Sequence, residues 1–205
     1  MSEPGVAEGQ LVADVAELCR RLLGSPVVAR EAAVAALTAG PDDRVAMLAR
    51  AVRECRRRTA TWPPAGAAGP DGRSLDEAVA AEVAAASGSL PDRQREALVL
   101  RERLELSHAE TGQVMGLDAA AAGLLLARAR LLLRARLRGT EPEEGGGCAD
   151  WERCLRALAR RQDNEQLEPS EAELVREHLM GCPDCERAHA AMLEASVCYR
   201  AWGRA

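Results

Sequence analysis

The sequence predicts an all-α protein built from small helical bundles. Ala, Leu, Arg and Glu dominate its 205 residues, and these residue types are strong helix formers. The residue types that strands favour are scarce, since the chain has no Phe, no Ile, one Tyr and three Trp. Apolar residues recur at helical spacing, as at Leu11, Val15, Leu18 and Leu22. Composition and periodicity therefore both indicate helices, and neither indicates a sheet.

Turn and linker residues divide the chain into five segments. Helical patterns fill the first segment, a linker rich in Pro, Gly and Ala precedes a short helix in the second, and the third is a compact helical unit. An acidic, Gly-rich linker separates that unit from the final segment, which carries most of the cysteines. The five segments are 1–60, 61–89, 90–139, 140–147 and 148–205.

The order of elements in 90–139 is that of a helix-turn-helix. Pro91 begins a first helix that is expected to reach about residue 106, and Ser107 then caps a short helix. Gly116 ends the short helix, and Asp118 caps a long helix rich in arginine. From the spacing alone, a three-helix bundle without a role in nucleic-acid binding explains the pattern equally well.

His178, Cys182 and Cys185 have the spacing of ligands in a closed metal site. They lie at the end of a helical pattern that Gly181 breaks, and Pro183 predicts a tight turn after it. Such a turn brings the two thiolates back toward the imidazole ring. Zn²⁺ is the metal expected here, because its structural sites combine Cys and His ligands in this way.

Cys154 is the first choice for the fourth zinc ligand, and Cys148 is the alternative. A reduced surface pair of thiols beside a solvated histidine is the competing interpretation of the motif. A redox Cys-x-x-Cys is disfavoured because no βαβ pattern surrounds it. His108 and His189 have no partner pattern and are expected to be solvated.

The net charge of −5 conceals two neighbouring segments of opposite charge. Residues 91–139 contain nine Arg and six acidic residues, whereas 140–187 contain six Arg and thirteen acidic residues. Two such segments can attract one another or a partner of opposite charge.

The sequence also disfavours several classes of protein. It has no Gly-rich phosphate loop and no nucleophile motif, and a metal with four protein ligands has no open position, so an enzyme is not expected. No apolar run approaches the roughly 20 residues that span a bilayer, so no membrane contact is expected. The chain begins without a secretory signal and has seven cysteines, which indicates a cytoplasmic protein with reduced thiols.

Several motifs in 90–139 resemble the promoter −35-reading region of extracytoplasmic-function sigma factors. They are Leu90-Pro-Asp-Arg-Gln-Arg-Glu-Ala-Leu-Val-Leu-Arg101, Leu106-Ser-His-Ala-Glu110, Val114-Met-Gly-Leu117, Ala127-Arg-Ala-Arg130 and Leu133-Arg134. Residues 10–58 lie where these proteins carry their helices for core-polymerase binding and −10 reading. The set of Cys154, His178, Cys182 and Cys185 is similar to the zinc-binding anti-sigma domain, which clamps a sigma factor and keeps it from polymerase. The resemblance implies a sigma-like regulator fused to its own anti-sigma domain.

The helix expected to read DNA departs from this family pattern. Its first turns, 119–126, contain only Ala, Gly and Leu, which cannot form the paired hydrogen bonds that discriminate bases. Arg128, Arg130 and Arg134 are candidates for phosphate contacts, which position a protein without choosing a sequence. A solvated helix face explains these arginines about as well. Residues 10–59 also lack any aromatic side chain that could stack on unpaired bases. Promoter DNA is therefore expected to bind weakly.

Two leucine triplets lie on the same long helix, at 124–126 and 131–133. Three consecutive leucines span too wide an arc to be buried on one face, so the helix is either covered on several sides or exposes an apolar patch. Leu124, Leu125 and Leu132 are therefore the candidates for a partner-binding surface. The chain's own C-terminal segment is a candidate occupant of that surface.

The leading prediction is a transcription regulator that acts mainly through protein contacts and recognises promoters weakly. One alternative is an autoinhibited sigma-type promoter binder, and another is an anti-sigma or adaptor protein that does not bind DNA. The expected partner is RNA polymerase or another sigma or anti-sigma regulator. Homodimerisation through the leucine-rich helix is compatible with all three functions.

Overall fold

The computed structural model describes residues 4–38, 43–59 and 75–202, and all regular structure in these ranges is helical. The all-α prediction is confirmed. The ten α-helices in these ranges are α1 (Pro4–Leu23), α2 (Pro26–Leu37), α3 (Arg44–Thr59), α4 (Leu75–Gly88), α5 (Asp92–Leu98), α6 (His108–Met115), α7 (Ala119–Arg138), α8 (Trp151–Gln162), α9 (Pro169–Gly181) and α10 (Pro183–Ala201). The Pro- and Gly-rich part of the predicted linker lies outside the described residues.

The first three helices pack together as an N-terminal bundle. Leu18 of α1 and Leu48 of α3 are fully buried in it. Arg44, at the start of α3, donates from Nε to Asp14 Oδ2 at 2.8 Å and from Nη2 to the carbonyl of Leu104 at 2.8 Å. This arginine therefore joins the bundle to the helix-turn-helix that follows.

Helix α5 continues into a π-helical turn, Val99–Arg103, and ends before the predicted boundary near residue 106. The reason is the backbone of Glu105, whose φ of 57° cannot continue a right-handed helix. The short helix α6 then begins with the predicted cap: Glu110 N donates to Ser107 Oγ at 3.2 Å, and Ser107 N donates to Glu110 Oε2 at 2.8 Å.

The turn between α6 and α7 has the conformation that the sequence predicts. Gly116 adopts a left-handed φ of 69°, which ends α6, and the Asp118 carboxylate accepts from Ala121 N at 2.7 Å, which begins α7. Gly112 of α6 has no room for a side chain, because a Cβ there would lie 2.7 Å from the carbonyl oxygen of Leu117. The helix-turn-helix therefore has close backbone packing at its turn.

The long helix α7 contributes to two hydrophobic clusters. Leu126 and Leu133 are buried in the first cluster, with the N-terminal bundle and α5. Ala127 and Leu131 are buried in the second cluster, with α8, α9 and most of α10. The segment 148–202 is therefore packed directly on α7. Helices α7 and α10 both contribute side chains to the two clusters, so the clusters do not divide the chain at the predicted segment boundaries. Those boundaries therefore remain a prediction.

Within the described ranges, no helix combines the length and the apolar content that crossing a lipid bilayer requires.

Candidate metal centre and the face of the helix-turn-helix

Four side chains of the C-terminal segment form a compact cluster of metal-ligand type. The sulfur atoms of three cysteines and a ring nitrogen of one histidine all lie within 4.8 Å of one another. Cys148 Sγ and Cys185 Sγ each lie 3.5 Å from His178 Nδ1, and the two sulfurs are 3.6 Å apart. The cluster consists of Cys148, His178, Cys182 and Cys185.

Local backbone structure brings these ligand atoms together. His178 lies in the last turn of α9, Cys182 ends α9 and begins α10, and Pro183 occupies the first position of α10. This direct joint between two helices places Cys185 one turn further along α10. The loop that carries Cys148 is held by a hydrogen bond from Gly147 N to Asp184 Oδ2 at 2.9 Å.

The donor set of three cysteines and one histidine is of the kind that holds a zinc ion with four protein ligands. Tetrahedral bonds of about 2.3 Å to sulfur and about 2.0 Å to nitrogen separate neighbouring ligand atoms by roughly 3.5–3.8 Å. The three separations among Cys148, His178 and Cys185 agree with these values, and the Cys182 sulfur lies within 4.8 Å of the other three atoms.

The structure brings Cys148 into this cluster, whereas the first choice from the sequence was Cys154. Cys154 is buried in α8, and burial raises the pKa of its thiol to about 11. The sequence does not show the tight turn in which Cys148 N donates to the carbonyl of Gly145 at 2.9 Å. That turn, which Gly145 makes with a φ of 64°, directs Cys148 toward His178.

The thiols of the cluster differ in how readily they lose a proton. A hydrogen bond from the backbone N–H of Cys185, together with one from His178, lowers the pKa of Cys182 to about 7. Burial instead raises the pKa of Cys185 well above its ordinary value. A metal ion bound here would therefore have to displace a proton from Cys185, whereas Cys182 is readily deprotonated near neutral pH.

Each arginine predicted to contact DNA is paired with an acidic residue of the C-terminal segment. The pairs are Arg128 with Glu152, Arg130 with Asp163, and Arg134 with Glu194. Glu194 also accepts from Arg138 Nε at 2.6 Å. Arg128 remains exposed and Arg134 partly exposed, so both form ion pairs at the surface, whereas Arg130 is buried.

Arg130 is fully buried, so the prediction that it contacts phosphate is wrong. Its Nε donates to Glu102 Oε1 at 2.8 Å, and its Nη2 donates to Asp163 Oδ1 at 2.6 Å. Both carboxylates are themselves fully buried. One guanidinium thus joins the π-helical turn, α7 and the end of α8, and a phosphate cannot reach it.

His108 was expected to be solvated, and it is instead buried. Its Nε2 lies 2.7 Å from Asp163 Oδ2, and its backbone N–H donates to Glu165 Oε1 at 2.7 Å. Asn164 adopts a left-handed φ of 57°, which reverses the chain after α8 and presents both acids to α6. No local sequence pattern indicates this contact, because 55 residues separate the histidine from Asp163.

The last helix closes the same network from the other side. Arg200 Nε donates to Glu102 Oε2 at 2.6 Å, and Ser196 Oγ donates to Glu102 Oε1 at 2.8 Å. Burial acts to raise the pKa of Asp163, but the hydrogen bonds from His108 and Arg130 outweigh it and hold that pKa well below its usual range. The Asp163 carboxylate is therefore ionised in the folded protein at neutral pH.

The chain itself covers much of the leucine surface of α7. Leu124 packs against the second cluster, whose other members belong largely to the C-terminal segment. Leu125 and Leu132 pack against the first cluster. The leucine triplets left two alternatives, a helix covered on several sides or an exposed apolar patch. For these three leucines, the helix is covered on several sides.

The start of α7, which was predicted from the sequence to be the DNA-reading part of the helix, presents small side chains. Ala119 and Ala120 are exposed, and Ala121 is half-buried. None of them can donate or accept a hydrogen bond at a base edge. The alanines that replace the polar residues of the family pattern therefore lie on an accessible face of the helix.

Comparison with known proteins supports the assignment of this region. Residues 80–133 match the family model described as Sigma-70, region 4. The matched part contains α5, α6 and most of α7, so the chain has a sigma-factor-like helix-turn-helix of the kind used in transcription regulation. The comparisons with curated proteins and with solved structures gave no match.

Replacing Arg130 with Met should destabilise the protein strongly. The substitution leaves Glu102 and Asp163 buried without their cation, which typically costs about 3–5 kcal/mol. Arg128→Met is the matched control, since it removes an exposed ion pair worth about 0–1 kcal/mol. Denaturant unfolding of the two variants measures the difference, and equal losses would contradict the structural role of Arg130.

Acid should remove the contribution of Asp163 to stability. The pKa of this group is lower in the folded protein than its unfolded value of about 4, so its stabilising effect is complete above that pH and is lost as the pH falls below it. The stability advantage of the wild type over Asp163→Asn should therefore shrink below about pH 4. Unfolding curves measured across this range test the sign, and an advantage that grows on acidification would refute it.

Zinc content should distinguish Cys148 from Cys154. We expect Cys148→Ser to lose the metal and Cys154→Ser to retain it, because only Cys148 belongs to the four-atom cluster. Elemental analysis of the purified variants gives the stoichiometry, and a chelator should lower the melting temperature of Cys154→Ser but not that of Cys148→Ser. The opposite pattern of zinc retention would restore Cys154 as the ligand.

Proposed function

We propose that this chain is a transcription regulator in which a sigma-like helix-turn-helix is held by its own zinc-bound C-terminal segment. It acts mainly through contacts with other proteins, and its recognition of promoter DNA is weak. The observation that carries the proposal is the pairing of the arginines of α7 with acids of α8 and α10. A surface that would attract phosphate is neutralised by the same polypeptide.

The alanines at the start of α7 support the same function. Even if the C-terminal segment were displaced, Ala119 and Ala120 would supply no hydrogen bonds to base edges. Displacement would then expose arginines that bind phosphates of any sequence. A helix of this composition suits contact with a protein better than selection of a promoter.

Zn²⁺ is proposed as the cofactor, held by Cys148, His178, Cys182 and Cys185. The ion would fix the joint between α9 and α10 and the loop before α8. Those three helices form the second hydrophobic cluster with α7, so the metal would help to keep the acidic side chains in position. Its role is structural, because four protein ligands leave no position for a substrate.

The proposed partner is RNA polymerase or another sigma or anti-sigma regulator, and the protein is proposed to be cytoplasmic. Capture with the tagged full-length protein, followed by identification of bound chains, separates the options. Recovery of the polymerase core would indicate that the sigma-like part is still used as such. Stable association with a separate sigma factor, without polymerase, would favour the anti-sigma or adaptor alternative.

DNA binding by the full chain tests the central part of the proposal. The double substitution Glu152→Ala and Glu194→Ala frees Arg128, Arg134 and Arg138 without altering α7. We expect the variant to gain salt-sensitive affinity for duplex DNA, with a slope of log K against log salt of about −0.9 for each added phosphate contact. Fluorescence anisotropy should show the same gain in affinity for a promoter-like duplex and for a scrambled duplex.

Glu173→Ala with Glu177→Ala is the matched control, because it removes the same charge from an exposed part of α9. This control should leave DNA affinity close to that of the wild type. A gain restricted to the promoter-like duplex would favour the autoinhibited sigma-type alternative. Absence of any gain would favour the adaptor that does not bind DNA.

A further inference from the structure

A cleft of about 650 Å³ lies between the helix-turn-helix and the C-terminal segment. One wall consists of small residues from α6 and α7, including Ala109, Ala119, Ala120 and Gly123. We propose that this cleft binds a small molecule carrying a phosphate group. The inference is independent of the proposed regulatory function, since it concerns binding alone.

The opposite wall is a row of arginines on one face of α8. Arg153, Arg156 and Arg160 all line the cleft and are spaced three and four residues apart, which places them on the same side of the helix. Arg156 is half-buried and has no hydrogen bond or ion pair within the described part of the chain. Arg153 has only a distant exposed partner, Asp150, at 3.9 Å. Two of the three cations are thus available to a ligand.

The carboxylates that line the cleft are already engaged. Glu171 Oε2 accepts from Arg160 Nη1 at 2.6 Å and from Glu168 N at 3.0 Å. The side chain of Glu168 in turn caps the start of α9. Glu165 accepts the backbone N–H of His108 at 2.7 Å. The acids are therefore held by groups of the protein, whereas Arg156 is not.

Two residues with free backbone donors are also among those that line the cleft. The backbone N–H groups of Ala119 and Ala120 belong to the first turn of α7, where a helix has no internal acceptor for them. A phosphate bound at Arg156 would share the cleft with these backbone N–H groups.

The size of the cleft indicates what the phosphate is attached to. Its volume lies within the range of roughly 300–1,000 Å³ that is usual for pockets holding small organic ligands. The apolar wall of alanine and glycine offers a flat surface for the rest of the molecule. A phosphate ester the size of a mononucleotide matches both features.

Isothermal titration calorimetry tests the proposal. The zinc-loaded full-length protein is titrated with AMP and, in a separate experiment, with adenosine. AMP should bind at least about tenfold more tightly than adenosine, because a hydrogen bond to a charged group contributes that much or more. Arg156→Ala should weaken AMP binding by about tenfold. Arg161→Ala, an exposed arginine of α8 outside the cleft, should leave it within about twofold.

Filling the cleft provides a second variant that removes no charge. Ala120→Trp should abolish AMP binding while leaving the melting temperature close to that of the wild type, because Ala120 is exposed. Equal affinities for AMP and adenosine, or no binding of either, would overturn the proposal. Equal losses of AMP affinity in Arg156→Ala and Arg161→Ala would also overturn it. A parallel titration with duplex DNA gives one more contrary outcome, in which Arg156→Ala weakens the binding of DNA but not of AMP.

Discussion

The burial of Arg130 between Glu102 and Asp163 is the constraint on which the rest of the structure depends. A guanidinium cannot remain in an apolar interior without carboxylates, and one of its two partners comes from the C-terminal segment. Helix α7 can therefore adopt its place in the core only when the end of α8 lies against it. The helix-turn-helix and the C-terminal segment are thereby joined by an interaction that neither part satisfies alone.

Opposite charges of the helix-turn-helix and the C-terminal segment meet at α7. Arg130 and Asp163 form a buried pair, whereas the pairs of Arg128 with Glu152 and of Arg138 with Glu194 are exposed. The exposed pairs contribute little to stability, since solvent screens them. Their consequence is electrostatic, because they offset positive charge on the exposed side of α7. The buried pair on α7 thus contributes stability, whereas the exposed pairs on the same helix neutralise its surface charge.

Much of the local structure could be predicted from the sequence because its causes are local. The capping box at Ser107, the left-handed turn at Gly116 and the cap at Asp118 each depend on residues within a few positions of one another. These three features were predicted correctly, and the all-α class followed from composition. Gly181 was expected to break the helix before the cysteines, but α9 continues through Gly181 and meets α10 at Cys182.

The remainder depended on contacts between distant parts of the chain. Arg130 looked like its exposed neighbours on α7, and nothing near it in the sequence indicates Glu102 or Asp163 as partners. His108 is buried because the reversal at Asn164 brings two acids to α6. Cys148 joins the metal cluster through a turn that the glycine-rich linker permits but does not specify. A single sequence carries no signal for such tertiary approaches.

Hydrogen–deuterium exchange of the full chain, read by mass spectrometry without any partner, tests the docking of the C-terminal segment on α7 most directly. If α7, α8 and α10 share one core through Arg130 and Asp163, their backbone amides should exchange at similarly slow rates. Arg130→Met should accelerate exchange in α8 and α10 together with α7. Rapid exchange throughout 148–202 in the wild type, beside a protected α7, would contradict the account.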